Sequence, residues 1–421
     1  MPPPSDCSTV KSRIKESGSS ILIALIPLLT ISFVSNIAPY IYIPSLPDIA
    51  DAFSISEVQV GSTLSIYYLV LSLTLLAAGM VGDMWNKKRM LSRASALLFM
   101  GAITAGFAGT FGVMLSGWAL QAIGAATIIV IGQTWIGQRS NKNNITSLYS
   151  YLAIILSFAP LIAPVIGGIV TDTFSWRYNF YIVAALSLFA SVFINKSTPP
   201  PPVQRHALSV KEIAKSYYRI LFRSKFIGLI STSLVCFLFQ GALMNYSSFM
   251  FIDQLGIKPS VYGLISVPVV VGIIIGQFPV IYIEKKRGIV AAYIFNCAVA
   301  ASALLTSLLF YLITGTHTII ELVLVVFVFS IGFGGHTLLA IRNVMTVFAS
   351  KRSHSSALVN FLNQFTGYIA SVIVQLLFAL FGSAMQIHNI VSVLAVILII
   401  ATFPFFKRSY RDVCRRKNYD Y

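Results

Sequence analysis

Long apolar runs alternate with short polar ones along the whole chain. Twelve runs are long enough to cross a bilayer, near 21–43, 61–82, 91–112, 113–137, 147–170, 178–194, 226–251, 261–283, 289–313, 319–341, 356–381 and 387–406; a spanning helix needs about 20 residues. The third and fourth runs are divided at Gly109 to Gly112. Backbone that is not helical finds no hydrogen-bond partner in lipid, so the runs predict helices and no open sheet. The first run is too long for a removable signal peptide and lacks a small-residue cleavage site, so it is expected to remain as a span. No separate soluble domain is expected.

Composition agrees with this reading. Of 421 residues, 57% are hydrophobic and 10% charged, against about 25% charged in a soluble domain. A net charge of +17 raises the question of nucleic acid, which calls for a basic patch on a soluble surface. Here the bases sort by loop instead. With twelve spans both termini share one side, and that side holds 28 of the 30 Lys and Arg, leaving only Arg177 and Lys258 opposite. Positive charge marks the cytoplasm, so both termini and the loop 195–225 are expected there, with no nucleic-acid partner. Cys7, Cys236, Cys297 and Cys414 are far apart, with no CxxC and no GxxxxGK[ST], so no metal, redox pair, P-loop nucleotide or other cofactor is expected.

The chain reads as a tail (1–20), a six-helix half (21–194), a linker (195–225), a second six-helix half (226–406) and a second tail (407–421). STPPPP at 197–202 cannot be helix interior. After it, Val210, Ile213, Ala214, Tyr217 and Leu221 recur at helical spacing between Lys211, Lys215, Arg219 and Arg223, which predicts a helix lying on the anionic inner leaflet. Asp83 with Lys87, Lys88 and Arg89 joins the second and third spans, and Glu284 with Lys285, Lys286 and Arg287 joins the eighth and ninth. Paired halves around a central site are a transporter pattern. Asp83, set against the following bases, is a candidate conformational latch that closes one face.

Several stretches carry a resemblance. GMVGDMWNKKRML (79–91) resembles the loop motif of the major facilitator superfamily, with Met84 where an Arg is usual and Asn86 where a Gly is. YIPSLPDIADAFSISEVQVGSTLSIYYL (42–69), APLIAPVIGG (159–168), SWRYNF (175–180) and SSAL (355–358) are similar to the bicyclomycin-resistance-type (Bcr/CflA) drug exporters, in the same order along the chain. The resemblance implies an all-α membrane protein with twelve transmembrane helices in two pseudo-symmetric halves, the major facilitator fold. It also implies alternating access, a small organic solute and a bacterial cytoplasmic membrane. Pro160 and Pro164 break hydrogen bonding within one span, and Gly167 and Gly168 permit close helix approach, a hinge and packing motif at the junction of the halves.

Exporters of this family usually exchange solute for protons, through an acid on the first span and an Arg on the fourth. Tyr40 and Trp118 stand at those positions, so the usual coupling pair is missing. His336, in SIGFGGHTLL (330–339), is the titratable group left in mid-span and the candidate proton site; the Gly cluster around it is expected to loosen the helix. In this fold spans one, four, seven and ten line the cavity, which makes Asn36, Tyr40, Trp118, Gln121, Gln240, Asn245, Tyr246 and His336 the candidate wall, with Asn363 and Gln364 on span eleven as weaker members. Such a wall suits a neutral or amphiphilic solute. The reading is a secondary transporter, not an enzyme, working as a monomer and exporting drug-like compounds; the alternative is an importer or facilitator of a nutrient or siderophore. The five histidines are scattered along the chain, with no cluster to support enzymic chemistry.

Overall fold

The computed structural model describes residues 18–81, 86–139, 145–196, 210–347 and 352–417. Each apolar run is a helix: α1 (Gly18–Ile41), α2 (Glu57–Val81), α3 (Lys87–Gly106), α4 (Phe111–Arg139), α5 (Ile145–Thr173), α6 (Trp176–Lys196), α7 (Ser224–Ser248), α8 (Pro259–Arg287), α9 (Ile289–Thr314), α10 (Ile319–Val347), α11 (Arg352–Phe381) and α12 (Ala384–Lys417). Among the described residues there is no strand. Ten of the twelve are long and apolar enough to cross a membrane on length and composition. The other two are α3, which opens on three bases, and α5, whose apolar stretch is Phe158–Thr173.

The breaks follow local chemistry. Asn86, standing where the family loop has Gly, caps α3 by accepting from the Arg89 N–H at 3.2 Å. Gly288, at φ 82°, ends α8 and starts α9 in a conformation that only glycine adopts freely. Arg177 explains the Trp-Arg pair: its guanidinium donates to the carbonyls of Gly106 (3.0 Å) and Ala108 (2.8 Å) at the end of α3, while lying over the Trp176 ring. Those carbonyls have no partner within their own helix, and the cation satisfies them.

The first six helices pack chiefly on one another, and so do the last six; α2 against α11 and α5 against α8 make the main joins between the sets. Side chains such as Phe107 (71% exposed) and Leu380 (76% exposed) face outward, as a lipid-facing surface requires. Where helices cross closely, a glycine stands. A Cβ on Gly117 of α4 would lie 2.7 Å from both the Ala105 nitrogen and the Gly101 oxygen of α3.

The linker helix spans Val210–Leu221. Tyr217 and Ile220 turn onto the bundle, Ile220 in one apolar cluster with Phe226 and Leu358. Tyr218 and Phe222 remain exposed beside Lys215 and Arg219.

Gly117→Val is expected to weaken the α3–α4 join by about 1–3 kcal/mol through overpacking. Gly109→Val, at a position with open space around it, is expected to behave as wild type. Thermal midpoints in detergent check this, and equal midpoints for both variants would contradict the packing.

Candidate functional site

A cavity of about 410 Å³ lies between the two sets of helices. Its walls come from α1, α2, α5, α7, α8, α10 and α11, and no charged side chain lines it among the described residues. The surfaces are aromatic and aliphatic, with amide groups at Gln240, Gln277, Asn363 and Gln364. Two amide oxygens, Gln240 Oε1 and Asn363 Oδ1, are buried without a hydrogen-bond partner among the described residues. A buried acceptor left unmatched is costly, so both are open to a donor placed in the cavity.

Three bonds that cross between the halves lie toward the end remote from the termini. The Gln375 amide donates to Ser65 Oγ at 2.5 Å, joining α11 to α2. The Ser260 N–H donates to Asp172 Oδ2 at 3.0 Å, joining α8 to α5. Tyr68 reaches Met244 Sδ at 3.4 Å. At the same end, backbones touch: a Cβ on Gly167 would overlap the Ile41 carbonyl, one on Gly168 the Pro259 carbonyl, and one on Gly263 the Pro164 carbonyl. Pro160 and Pro164 themselves form part of the cavity wall.

The residues singled out in the sequence divide. Tyr40, Gln240, Asn363 and Gln364 face the cavity. Six others do not. Trp118 is fully buried among rings, with centroids 4.1 Å from Tyr42, 5.1 Å from Tyr67 and 5.6 Å from Phe180. Gln121 is buried where α4 crosses α3, beside Gly101. The glycines that bring α3 and α4 together set these two side chains away from the cavity, and among the described residues α4 contributes nothing to its lining. Asn36 donates to the Ser32 carbonyl of its own helix. Asn245 donates to Gly241 O and Ser371 Oγ, each at 2.8 Å, and so ties α7 to α11. Tyr246 is bonded to His388 Nδ1 at 2.9 Å.

His336 points to the other side of α10 from the cavity, edge-on to the Tyr293 ring of α9 at 5.2 Å. The helix is continuous through Gly332, Gly334 and Gly335. These glycines do not loosen it; they admit Ala300 and Asn296 of α9 and the Ile273 backbone of α8 at close range. Of the latch group, Asp83 lies outside the described residues, while Lys87 is buried and Arg89 exposed at the start of α3.

The structure also assembles a group that reading the chain in order missed. His317 and His388, 71 positions apart in sequence, meet with ring centroids 5.3 Å apart. Around them stand Glu321, Asn389, Tyr246 and Ser307. Only helix packing brings these residues together, and neither histidine has a neighbour within the sequence that signals the other.

Residues 28–371 match the family model of the Major Facilitator Superfamily. Among curated relatives, the chain is 26% identical over 275 residues to an uncharacterized transporter of Rickettsia bellii, covering 64% of this chain and 67% of that one. It is 23% identical over 260 residues to a bicyclomycin resistance protein homolog of Haemophilus influenzae, covering 60% and 64%. It is 25% identical over 254 residues to a chloramphenicol resistance protein of Acinetobacter baumannii, covering 58% and 59%. The matched regions thus span about two thirds of these relatives or less. Among solved structures, a bacterial homolog of the human lysosomal transporter Spinster, in an inward-facing and unoccupied conformation, is similar at TM-score 0.73 and 13% identity, over 94% of this chain and 98% of that one. A D-xylose-proton symporter is similar at TM-score 0.70 and 15% identity, over 91% and 97%. An all-helical bundle joined at two seams, a cavity between its halves, and a family match across most of its length together make this chain a member of the Major Facilitator Superfamily, a multi-pass membrane transporter and not an enzyme.

Proposed function

We propose that the protein exports a neutral or amphiphilic organic solute by alternating access, with both termini in the cytoplasm of a bacterial cell and the chain acting as a monomer in the inner membrane. The observation that carries this reading is the cavity itself: it lacks charged side chains, is lined by rings, and holds two unpartnered amide oxygens at Gln240 and Asn363. A cavity of this size fits a drug-sized molecule. Its acceptors select for a solute with an N–H or O–H donor, and a wall with no charged side chain among the described residues disfavours an ion. The names of the Haemophilus and Acinetobacter relatives support export of antibiotic-like compounds.

The bonded end, where α5 meets α8, is the closed gate of this arrangement, and Asp83 with Lys87, Lys88 and Arg89 is the latch that closes the opposite end. One observation supports a second reading, that of an importer or facilitator for a nutrient or siderophore. Tyr40 and Trp118 occupy the family's coupling positions, and a uniporter needs neither charge.

Flux of neutral aromatic solutes into sealed inside-out vesicles tests the reading. Gln240→Ala and Asn363→Ala are each expected to raise KM about 5- to 10-fold with kcat little changed, since each removes roughly 1 kcal/mol of hydrogen bonding made to bound solute. Unchanged KM in both variants would exclude the amides from binding. Gly168→Leu is expected to separate the α5–α8 gate and lengthen spin-label distances across it by several ångströms. Asp83→Asn is expected to reach the membrane in normal amount yet turn over more slowly, and wild-type turnover in that variant would remove the latch.

A further inference from the structure

A second hollow, of about 460 Å³, lies on the outer face of the bundle, where α8 ends and α9 begins. Tyr282, Lys286 and Arg287 of α8 and Ala291, Ile294 and Phe295 of α9 line it. It sits at the end of the bundle that carries the termini. Tyr282 is 60% exposed and Ile294 48%. In a membrane-spanning chain such apolar faces meet lipid, so one wall of the hollow opens onto acyl chains while its rim at Arg287 meets water.

Lys286 and Arg287 stand in the hollow with no acid among its lining residues. The Lys286 ammonium is folded back along α8. It donates to Tyr282 Oη at 2.5 Å and lies 4.5 Å from the centre of that ring. This bond uses one of its three donors, and the fold carries the charge toward the apolar wall. Gly288 brings no side chain to cap α9, so the first N–H groups of that helix add partial positive charge at the same place. The surroundings are basic too. Lys285 is exposed beside the hollow, and so are Lys407 and Arg408 on α12, which packs on α9 through Phe406 and Tyr293. The acids nearest in sequence are Glu284 and Asp412. Fixed positive charge at one rim and exposed apolar wall at the other fit a molecule with an anionic head and an oily tail. A soluble anion would leave Ile294 and Phe295 without a partner, and a neutral lipid would leave the two bases so.

We propose that this hollow is a binding site for an anionic phospholipid of the leaflet on the side of the termini. The lipid phosphate lies between the Lys286 ammonium and Arg287, whose planar fork matches two phosphate oxygens. An acyl chain runs beside Ile294 and Phe295. Basic pockets between spanning helices take headgroups of this kind. The lipid bridges the end of α8, which lines the central cavity at Gln277, to the start of α9. The site requires only that the chain span a membrane; it depends on neither the solute nor the direction of flux.

Native mass spectrometry of the full chain, purified in detergent and titrated with phosphatidylglycerol, counts the bound lipids. The wild type is expected to hold a first phosphatidylglycerol more tightly than phosphatidylcholine, which has the phosphate but no net charge. Lys286→Gln and Arg287→Gln are each expected to raise the dissociation constant of that lipid about fivefold, and the double variant about 30-fold. Lys407→Gln combined with Arg408→Gln removes equal charge from exposed positions outside the hollow, and is expected to change the constant by about twofold at most, since separated surface charges are screened. All four positions are exposed, so the variants are expected to keep the thermal midpoint of the wild type in lipid-free detergent. Equal constants in the wild type and the Lys286 and Arg287 double variant overturn the site. So does an equal loss in the α12 pair, which would assign the lipid to bulk charge. Glycerophosphoglycerol, the same headgroup without acyl chains, is expected not to displace the lipid even in large excess. Displacement by it would overturn the lipid in favour of a soluble phosphate.

Discussion

Gly167, Gly168 and Gly263 strip side chains from the line where α5 meets its neighbours, so that backbone touches backbone at Ile41, Pro259 and Pro164. In lipid no hydrophobic force draws two helices together, because the surrounding chains are as apolar as the helices. The two halves are held instead by close van der Waals contact and a few bonds, such as Ser260 to Asp172 and Gln375 to Ser65. These lie toward the end remote from the termini. The prolines of α5 lie within two turns of the contact and face the cavity. The same helix therefore supplies both the tightest join and the local break in hydrogen bonding that lets its remainder diverge.

In the first half, Tyr42, Tyr67, Trp118 and Phe180 pack ring against ring, and polar groups join separate elements, as Ser45, Thr171 of α5 and Asn179 of α6 do within 3.0 Å of one another. In the second, polar groups link separate helices: Asn245 to Ser371, Tyr246 and Ser307 to His388, Thr232 to Thr402. Trp118 fills the middle of the first half with ring contacts, while charged residues of that half such as Lys87 and Arg177 stand at helix starts.

The helices and their order were legible because lipid is a strict filter. A chain either has a run of suitable length or does not, and the sorting of bases by loop checks the count. The glycine–proline motif of α5 was legible for a related reason, since few residue types permit backbone contact. The cavity wall was not. Helices apolar on every face carry no moment to say which side meets the cavity, so Trp118, Gln121 and His336 face elsewhere. Their rotation is set by small residues on neighbouring helices, Gly101 and Gly117 for α4, Gly334 and Gly335 for α10. His317 and His388 were hidden by distance along the chain, as any contact made only by packing is.

Position relative to the wall decides what a titratable group can do. A charge inside a cavity of about 410 Å³ would bring water with it and turn selection toward ions, since desolvating it is too costly to leave it bare. Here His317 and Glu321, bonded to each other, stand outside the cavity lining, so polar groups sit behind a wall that carries no charged side chain among the described residues. One bundle holds both because in α10 the two faces are separate: Phe333 and Thr337 look into the cavity, while His336 looks away from it toward Tyr293.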